Sequence, residues 1–283
     1  MAGISAKDVK ALRESTGAGM MDCKKVLTEA NGDPKKALEL LRERGLSKAG
    51  KRAGRETSEG AIVISGEGSS ATIIELGCET DFVAKTDDFQ TLAQQVGDAI
   101  VKDASVETPE QALTLSLGEG TIDDAIKHAA ATMGENIGLK RVSRITSDGV
   151  VGSYIHAGGK LGVVVALDGA AGGDFTSVAR DLAMHVAAID PTPVAIDRDG
   201  VPADLVASEK SILRKQALQS GKPENIVEKI VEGRINKFFA ENCLLEQPFV
   251  KDPDTSVTKM LAAISGDLKV SSFVRFKLGE AVQ

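Results

Sequence analysis

The fold of this chain is decided by Ala71-Thr-Ile-Ile-Glu-Leu-Gly-Cys-Glu-Thr-Asp-Phe-Val-Ala-Lys85. Its first part is apolar and β-branched, which predicts a strand over 71–76, and a helical pattern begins at Phe89. A loop between a strand and a helix lies at the edge of a sheet, where functional side chains concentrate. This loop carries Asp81 next to Phe82. The ring is either a core residue, as single aromatic side chains mostly are, or an exposed probe that fills a partner's pocket.

A strand–strand–helix pattern occurs twice, and this stretch belongs to the first copy. The first hairpin has strands at 62–64 and 71–76 with a turn at 65–68, and the second has strands at 150–155 and 161–167 with a turn at 156–159. The following helices repeat one apolar face. Its residues are Phe89, Leu92, Ala93, Val96 and Ile100 in the first copy and Phe175, Val178, Ala179, Leu182 and Val186 in the second. Because a hairpin needs a helix to cover its apolar face, we predict two related subdomains. In the second copy the Gly-rich segment 168–174 replaces the Asp81-Phe82 loop.

The first 45 residues predict a small three-helix module. Ser5 can cap the first helix, Thr16-Gly-Ala-Gly19 breaks it, and the second helix runs over 20–30. Asp33-Pro34 is a strong start signal for a third helix, which we expect to end at Gly45. Residues 48–59 are basic and polar, which is typical of a linker or a solvated helix end.

The remaining sequence predicts a helical region at 109–133 with an interruption at 118–120, a strand at 137–145, and two helices at 202–219 and 223–239 that form a protruding hairpin. A strand at 247–250, a helix at 257–264 and a strand at 271–276 are expected to complete the second sheet. The predicted fold class is therefore α+β, with a small N-terminal three-helix module, two related β-sheet/helix subdomains and an inserted antiparallel helical hairpin. The expected limits are 1–55 for the module, 56–145 for the N-terminal core subdomain, 146–190 with 238–283 for the C-terminal core subdomain, and 191–237 for the hairpin.

The composition disfavours several classes of protein. A net charge of −7 and a pI near 5.2 argue against broad nucleic-acid binding, which needs a basic surface. No apolar run is long enough for a membrane span, and the first residues have no signal-peptide core. Cys23, Cys78 and Cys243 are odd in number and far apart, so they suggest neither a zinc site nor a disulfide framework. We expect a cytoplasmic protein with reduced thiols.

Neither an enzyme nor a nucleotide-binding protein is indicated. Gly17-Ala-Gly19 has Asp22 where a dinucleotide loop needs glycine, and it follows a helix rather than a strand. Gly158-Gly-Lys160 lacks the rest of a phosphate loop. The three histidines, His128, His156 and His185, are scattered without the spacing of a catalytic triad or a metal site. We therefore expect no cofactor and no catalytic group.

Two motifs carry a resemblance to a known family, namely Thr80-Asp-Phe-Val-Ala-Lys85 and Thr16-Gly-Ala-Gly-Met-Met-Asp-Cys-Lys-Lys25. Further matches run nearly end to end in the same order: Ser153-Tyr154 with His156, Met184-His-Val-Ala-Ala188, Gln219-Ser-Gly-Lys-Pro223, Val231-Glu-Gly-Arg234 and Gln247-Pro-Phe-Val250. With these motifs the sequence resembles bacterial translation elongation factor Ts, a family of guanine-nucleotide exchange factors for elongation factor Tu.

The resemblance implies roles for particular residues. The N-terminal part resembles a ubiquitin-associated (UBA-like) module and would dock on the GTPase through Leu12, Met20, Met21 and Lys24. Adjacent residues cannot both face one side of a helix, so at least one of the two methionines should be exposed. Four residues, Thr80, Asp81, Phe82 and Val83, would dislocate Mg²⁺ from the partner, while Met133 and His156 would contact it.

The implied activity uses GDP and Mg²⁺ held by elongation factor Tu, with no cofactor, membrane contact or direct nucleotide binding by this chain. The alternative is a non-enzymatic structural or RNA-associated scaffold that uses the basic residues of 48–59. For the helical hairpin the alternatives are self-association, also within a two-to-two complex, and weak contacts with the partner.

Overall fold

The computed structural model describes residues 4–52, 54–156, 158–169, 173–220 and 223–280. The helices are α1 (Ala6–Thr16), α2 (Met20–Glu29), α3 (Pro34–Arg52), α4 (Asp81–Ala84), α5 (Asp87–Ile100), α6 (Pro109–Leu113), α7 (Ile122–Met133), α8 (Thr176–Ala188), α9 (Ala203–Gln219), α10 (Glu224–Asn242) and α11 (Val257–Ile264). The strands are β1 (Glu59–Glu67), β2 (Ser70–Cys78), β3 (Ser116–Leu117), β4 (Gly120–Thr121), β5 (Ile137–Thr146), β6 (Val150–Ile155), β7 (Leu161–Asp168), β8 (Pro248–Phe249), β9 (Asp252–Ser256) and β10 (Lys269–Lys277). The predicted α+β class is confirmed.

The first sheet is antiparallel, with the strand order β1-β2-β5. Glu67 pairs with Ser70, so the hairpin turns at Gly68, whose φ of 70° lies in the left-handed region. The prediction of a turn at 65–68 was wrong because β1 continues to Glu67. Ser65 is buried against α5, where its hydroxyl donates to Asp98 Oδ1 at 2.8 Å.

The second sheet repeats the topology of the first, with the order β10-β7-β6. In both sheets the third strand pairs with the second strand of the hairpin, and a helix covers one face of the sheet. All five predicted apolar residues of α5 are buried. In the second copy Ala179, Leu182 and Val186 are buried, whereas Val178 is half-buried and the half-buried Phe175 is the N-cap of α8.

The two sheets pack face to face, which the sequence did not predict. Their shared core consists of Ile62, Ala71, Ile73, Ile145, Val151, Val164, Ala166 and Phe276. The approach is close at Gly162, since a Cβ there would lie 2.6 Å from Ile62 Cγ2. The Ile62 N–H also donates to the Gly159 carbonyl at 2.8 Å. This packing brings the turn of the second hairpin to the beginning of β1, which pairs with the end of β2.

The N-terminal module surrounds a small core of its own, composed of Val9, Leu12, Cys23, Val26, Leu27, Ala30 and Ala37. The prediction that Gly45 ends the third helix was wrong, because α3 continues to Arg52. A Cβ on Gly45 would lie 3.0 Å from the Cβ of Ala131 in α7. The glycine therefore permits a close approach of two helices instead of ending one of them.

Helices α9 and α10 form the predicted hairpin around Leu213, Ala217, Val227, Val231 and Ile235. Strand β10 completes the second sheet as predicted, but the segment 247–250 does not, and that expectation was wrong. It forms the short β8, which pairs with β9 in a separate two-stranded sheet. Pro248 has no N–H for a ladder, and the Gln247 side chain binds the Pro191 and Glu241 carbonyls instead. The predicted domain limits stay a prediction.

Candidate partner-binding site

The loop after β2 forms a single helical turn that turns Phe82 towards solvent. Thr80 is the N-cap of α4; its Oγ1 accepts from the Val83 N–H at 3.4 Å, and its carbonyl accepts from the Ala84 N–H at 3.2 Å. The apolar cluster between the first sheet and helices α5 and α7 is called the first core here. Ala84 is buried and Val83 half-buried against this first core, so Phe82 lies on the other side of the turn with 81% of its surface exposed. The interpretation of Phe82 as a core residue is therefore wrong.

Asp81 is a half-exposed carboxylate beside this ring. Its Oδ2 accepts from Lys85 Nζ at 2.7 Å, one helical turn further along the chain. This hydrogen bond, with a contribution from the charge of Lys160, lowers the pKa of the Asp81 carboxyl, so the group is ionised at neutral pH. Because ion pairs at an exposed surface are weak, Asp81 can exchange Lys85 for another donor at little cost.

The turn of the second hairpin borders the same loop. Lys160 Nζ donates to Glu59 Oε2 at 2.6 Å, and Glu59 pairs with Cys78, the last residue of β2. His156 is exposed in this turn, with its Nδ1 3.1 Å from the Tyr154 hydroxyl. The site therefore includes Lys85 and Lys160, which the sequence analysis did not assign. The repeated strand–strand–helix pattern contained no information about the contact between the two hairpins.

Met133 is half-buried rather than exposed. It ends α7 and packs against the first core. Gly134 follows with a φ of 82°, and the next residue, Glu135, hydrogen-bonds to Thr80. Sequence reasoning selected Met133 as a contact and missed Glu135. The sequence signal that points to Glu135 is a glycine at the end of a helix, Gly134, followed by two polar residues.

The predicted docking residues of the N-terminal module differ in exposure. Met20 and Met21 are 53% and 74% exposed, and Lys24 is exposed as well. Both methionines are accessible because they occupy the first turn of α2, after a glycine N-cap. Leu12 is only 6% exposed, and its contact with a partner stays a prediction. It packs inside the module and supports the helix that carries Met20 and Met21.

Chemical reactivity is low in the described part of the chain. Burial raises the pKa of the Cys78 thiol to about 12 and that of Cys243 to about 11, so both are neutral thiols. Across the residues that the structure describes, no group of three or more His, Cys, Asp and Glu side chains could hold a metal ion.

Among those same residues, no helix has the length and apolar character needed to cross a membrane.

The fold and this site define a class of protein: an α+β factor that presents an exposed aromatic ring and a carboxylate on a short, well-anchored turn. A family model described as Elongation factor TS matches residues 79–280. The chain is 47% identical to elongation factor Ts of Prosthecochloris aestuarii over 99% of this chain and 100% of that protein. It is 45% identical to elongation factor Ts of Chlorobium phaeobacteroides over 99% of this chain and 100% of that protein. With elongation factor Ts of Lactiplantibacillus plantarum the identity is 46% over 100% of this chain and 94% of that protein. The chain belongs to the elongation factor Ts family and is a translation elongation factor.

Proposed function

We propose that this chain is the guanine-nucleotide exchange factor of elongation factor Tu. It binds the GDP-bound GTPase, weakens the hold on GDP, and leaves when GTP binds. Membership of the family supports this proposal, and the observation that carries it is the 81% exposure of Phe82. A capped helical turn holds this large apolar ring in water. Its transfer into an apolar gap in a partner is therefore favourable and stabilises the complex.

The exchange step needs no chemistry from this chain. Mg²⁺ is held by oxygen ligands in a strict octahedral geometry, so small displacements of the groups around it weaken its binding. Phe82 acts as a wedge near the metal-proximal switch region of the partner, and the Asp81 carboxylate competes for polar partners there. Thr80 and Val83 hold the turn. The chain is then a non-catalytic factor that acts on GDP and Mg²⁺ bound to the GTPase and needs no cofactor of its own.

Docking and exchange use different parts of the chain. Met20, Met21 and Lys24 dock on the GTPase domain, because methionine side chains adapt to irregular apolar surfaces. His156 adds a polar contact from the second hairpin turn, and Met133 adds an apolar contact from the end of α7. The outer face of the helical hairpin carries Leu205, which is 38% exposed, and Ile212, which is 46% exposed. Self-association through that face, alone or in a two-to-two complex, stays a prediction.

Thermodynamic linkage constrains this mechanism. If the factor lowers the affinity of the GTPase for GDP, then GDP must lower the affinity of the GTPase for the factor by the same ratio.

The exchange cycle takes place where both translation and reduced thiols are found, which we propose is the cytoplasm. The three buried free cysteines suit a reducing compartment.

The test measures release of fluorescent GDP from elongation factor Tu by stopped flow, with and without this protein, at several Mg²⁺ concentrations. We expect faster release that saturates with protein concentration. Unchanged release, together with salt-sensitive capture of RNA by the purified protein, would contradict the proposal and favour the RNA-associated scaffold.

A further inference from the structure

We propose that Glu135 is a positioning residue for exchange, because it holds the loop that presents Phe82. This inference rests on the proposed function. Glu135 lies in the turn Gly134–Asn136 after α7, 53 residues beyond Phe82 in the sequence (135 − 82). It is half-buried, and its carboxylate points at the residues that join β2 to α4.

The Glu135 carboxylate accepts three hydrogen bonds from this junction. Its Oε2 accepts from the Glu79 N–H at 3.1 Å and from the Thr80 N–H at 2.9 Å. Its Oε1 accepts from the Thr80 hydroxyl at 2.6 Å. The ladders of β2 end at Cys78 and α4 begins at Asp81, so these two N–H groups lie between regular elements. Hydrogen bonds to an ionised acceptor are stronger than neutral ones, and here they hold backbone that no ladder holds.

The contact between the two segments is reciprocal. Glu79 Oε1 accepts from the Asn136 N–H at 2.6 Å, while Asn136 Nδ2 donates to the Arg55 carbonyl at 2.7 Å. The Arg55 guanidinium in turn lies 3.2 Å from Glu79 Oε2. We call this set the clasp: Arg55, Glu79, Thr80, Glu135 and Asn136. It joins the segment after α3, the loop after β2 and the turn after α7.

The clasp determines where Phe82 points because α4 cannot determine it alone. A helix of four residues closes too few hydrogen bonds to be stable by itself. Its direction therefore depends on its N-cap, Thr80, together with the packing of Val83 and Ala84 on the first core. The Thr80 hydroxyl proton is donated to Glu135, which leaves the oxygen lone pairs directed at the Val83 N–H. Glu135 thus orients the cap that orients the turn.

The base of the clasp is rigid, which is what a positioning residue needs. Helix α7 is anchored in the first core through Ile122, Ile126, Ala129 and Ala130. Gly134 then reverses the chain with a φ of 82°. Removal of the Glu135 carboxylate should leave this base in place and free only the loop. The expected defect is a slower exchange step in a protein that still folds and still docks.

The experiment compares the full chain with Glu135→Ala, Glu135→Gln, Phe82→Ala and the double variant Glu135→Ala/Phe82→Ala. Glu110→Ala, which removes an exposed glutamate from α6, is the matched charge control. Stopped-flow release of fluorescent GDP from elongation factor Tu gives the maximal rate and the half-saturating concentration. Amide hydrogen exchange of the peptide that contains Glu79 and Thr80 reports on the clasp without any partner.

We expect Glu135→Ala to lower the maximal rate by about tenfold, the size of effect that follows from loss of hydrogen bonds to a charged group. The half-saturating concentration should change little, and exchange of the Glu79 and Thr80 amides should accelerate. Glu135→Gln keeps one oxygen for the two N–H groups, so it should lie closer to wild type. The double variant should match Phe82→Ala within about twofold, because Glu135 acts through that ring.

Three results would overturn the inference. The first is a wild-type rate in folded Glu135→Ala. The second is a double variant whose defect is the product of the two single defects, which is the outcome of a general loss of stability. The third is unchanged amide exchange at Glu79 and Thr80. If the wild-type protein itself does not accelerate GDP release, the proposed function fails, and the positioning role fails with it.

Discussion

Phe82 and Phe89 are only seven residues apart, yet Phe82 is 81% exposed and Phe89 is fully buried, with 0% exposed. Each follows a threonine N-cap, Thr80 for α4 and Thr86 for α5. The difference arises because α5 packs its apolar face against the first sheet, whereas α4 buries Val83 and Ala84 and leaves Phe82 outside. Of two identical side chains in one segment, one is therefore packed in the core and the other is accessible to a partner.

Truncation of these two rings should give opposite phenotypes. Phe82→Ala should keep its thermal stability and lose about 2 kcal/mol of coupling to the GTPase, which is roughly thirtyfold in the stimulated rate of GDP release. Phe89→Ala removes a core side chain and should lose about 3–5 kcal/mol of folding free energy. Thermal melts and stopped-flow GDP release on both variants give the measurement.

The dependence of the GDP release rate on Mg²⁺ gives a second measurement of the role of Phe82. The Phe82→Ala defect should be large at millimolar Mg²⁺ and should shrink when Mg²⁺ is chelated, because the wedge acts through the metal site. Asp81→Ala should have a smaller defect, since this carboxylate is already hydrogen-bonded to Lys85 at the surface. An early melt of Phe82→Ala with normal exchange at low temperature would contradict the contact role.

The exposed methionines of α2 should contribute to docking and not to stability. Met20→Ala/Met21→Ala should raise the half-saturating concentration in the exchange assay about tenfold, with a small change in the maximal rate. Leu12→Ala is the informative control, because Leu12 is buried in the module and its truncation should lower thermal stability. Equal half-saturating concentrations for the double variant and wild type would remove the docking role.

Periodic patterns explain which features the sequence predicted. The repeat of strands and helices and the helix α11 at Val257–Ile264 follow from local apolar spacing. The contact of Ile62 with Gly162 and the hydrogen bonds of Thr80 with Glu135 join residues far apart in the sequence, and such contacts leave no period. Gly45 was misjudged because a helical glycine that admits a neighbouring helix resembles a C-terminal stop signal.

A buried ion pair should contribute to the alignment of the two sheets. Arg141 Nε donates to Glu75 Oε2 at 2.6 Å, with the two side chains 11% and 8% exposed. The same guanidinium donates to the Lys277 carbonyl of β10 at 2.9 Å and lies 4.2 Å from the centre of the Phe276 ring. Arg141 therefore bridges the first sheet to the third strand of the second sheet.

Glu75→Ala should lower the free energy of unfolding by about 3–5 kcal/mol, because it leaves the Arg141 charge buried without its carboxylate. Glu228→Ala is the matched control, since it breaks the exposed pair with Arg214 in the helical hairpin. Exposed pairs contribute little, so this control should melt close to wild type. Urea unfolding of both variants measures the difference, and equal losses would show that the burial of the Glu75 pair has no special effect.

The buried His185 should make stability depend on pH. Its side chain is 0% exposed, Nδ1 accepts from the Val250 N–H at 3.1 Å, and Nε2 lies 3.1 Å from Gln247 Oε1. An imidazole that accepts at Nδ1 and donates at Nε2 is neutral. Desolvation lowers the pKa of His185 below its ordinary value of 6.5, against a smaller opposing effect of the Gln247 hydrogen bond.

The direction of the effect follows from proton linkage. The unfolded chain binds the His185 proton at a higher pH than the folded chain, so the unfolded state gains protons first as the pH falls. The contribution to stability is complete above the unfolded pKa near 6.5 and is lost progressively as the pH falls below that value. Urea unfolding between about pH 7.5 and pH 5.5 should therefore show a falling free energy of unfolding. His185→Gln should flatten this slope, while the exposed variant His156→Gln should keep it. A wild-type slope in His185→Gln would assign the pH dependence to other groups.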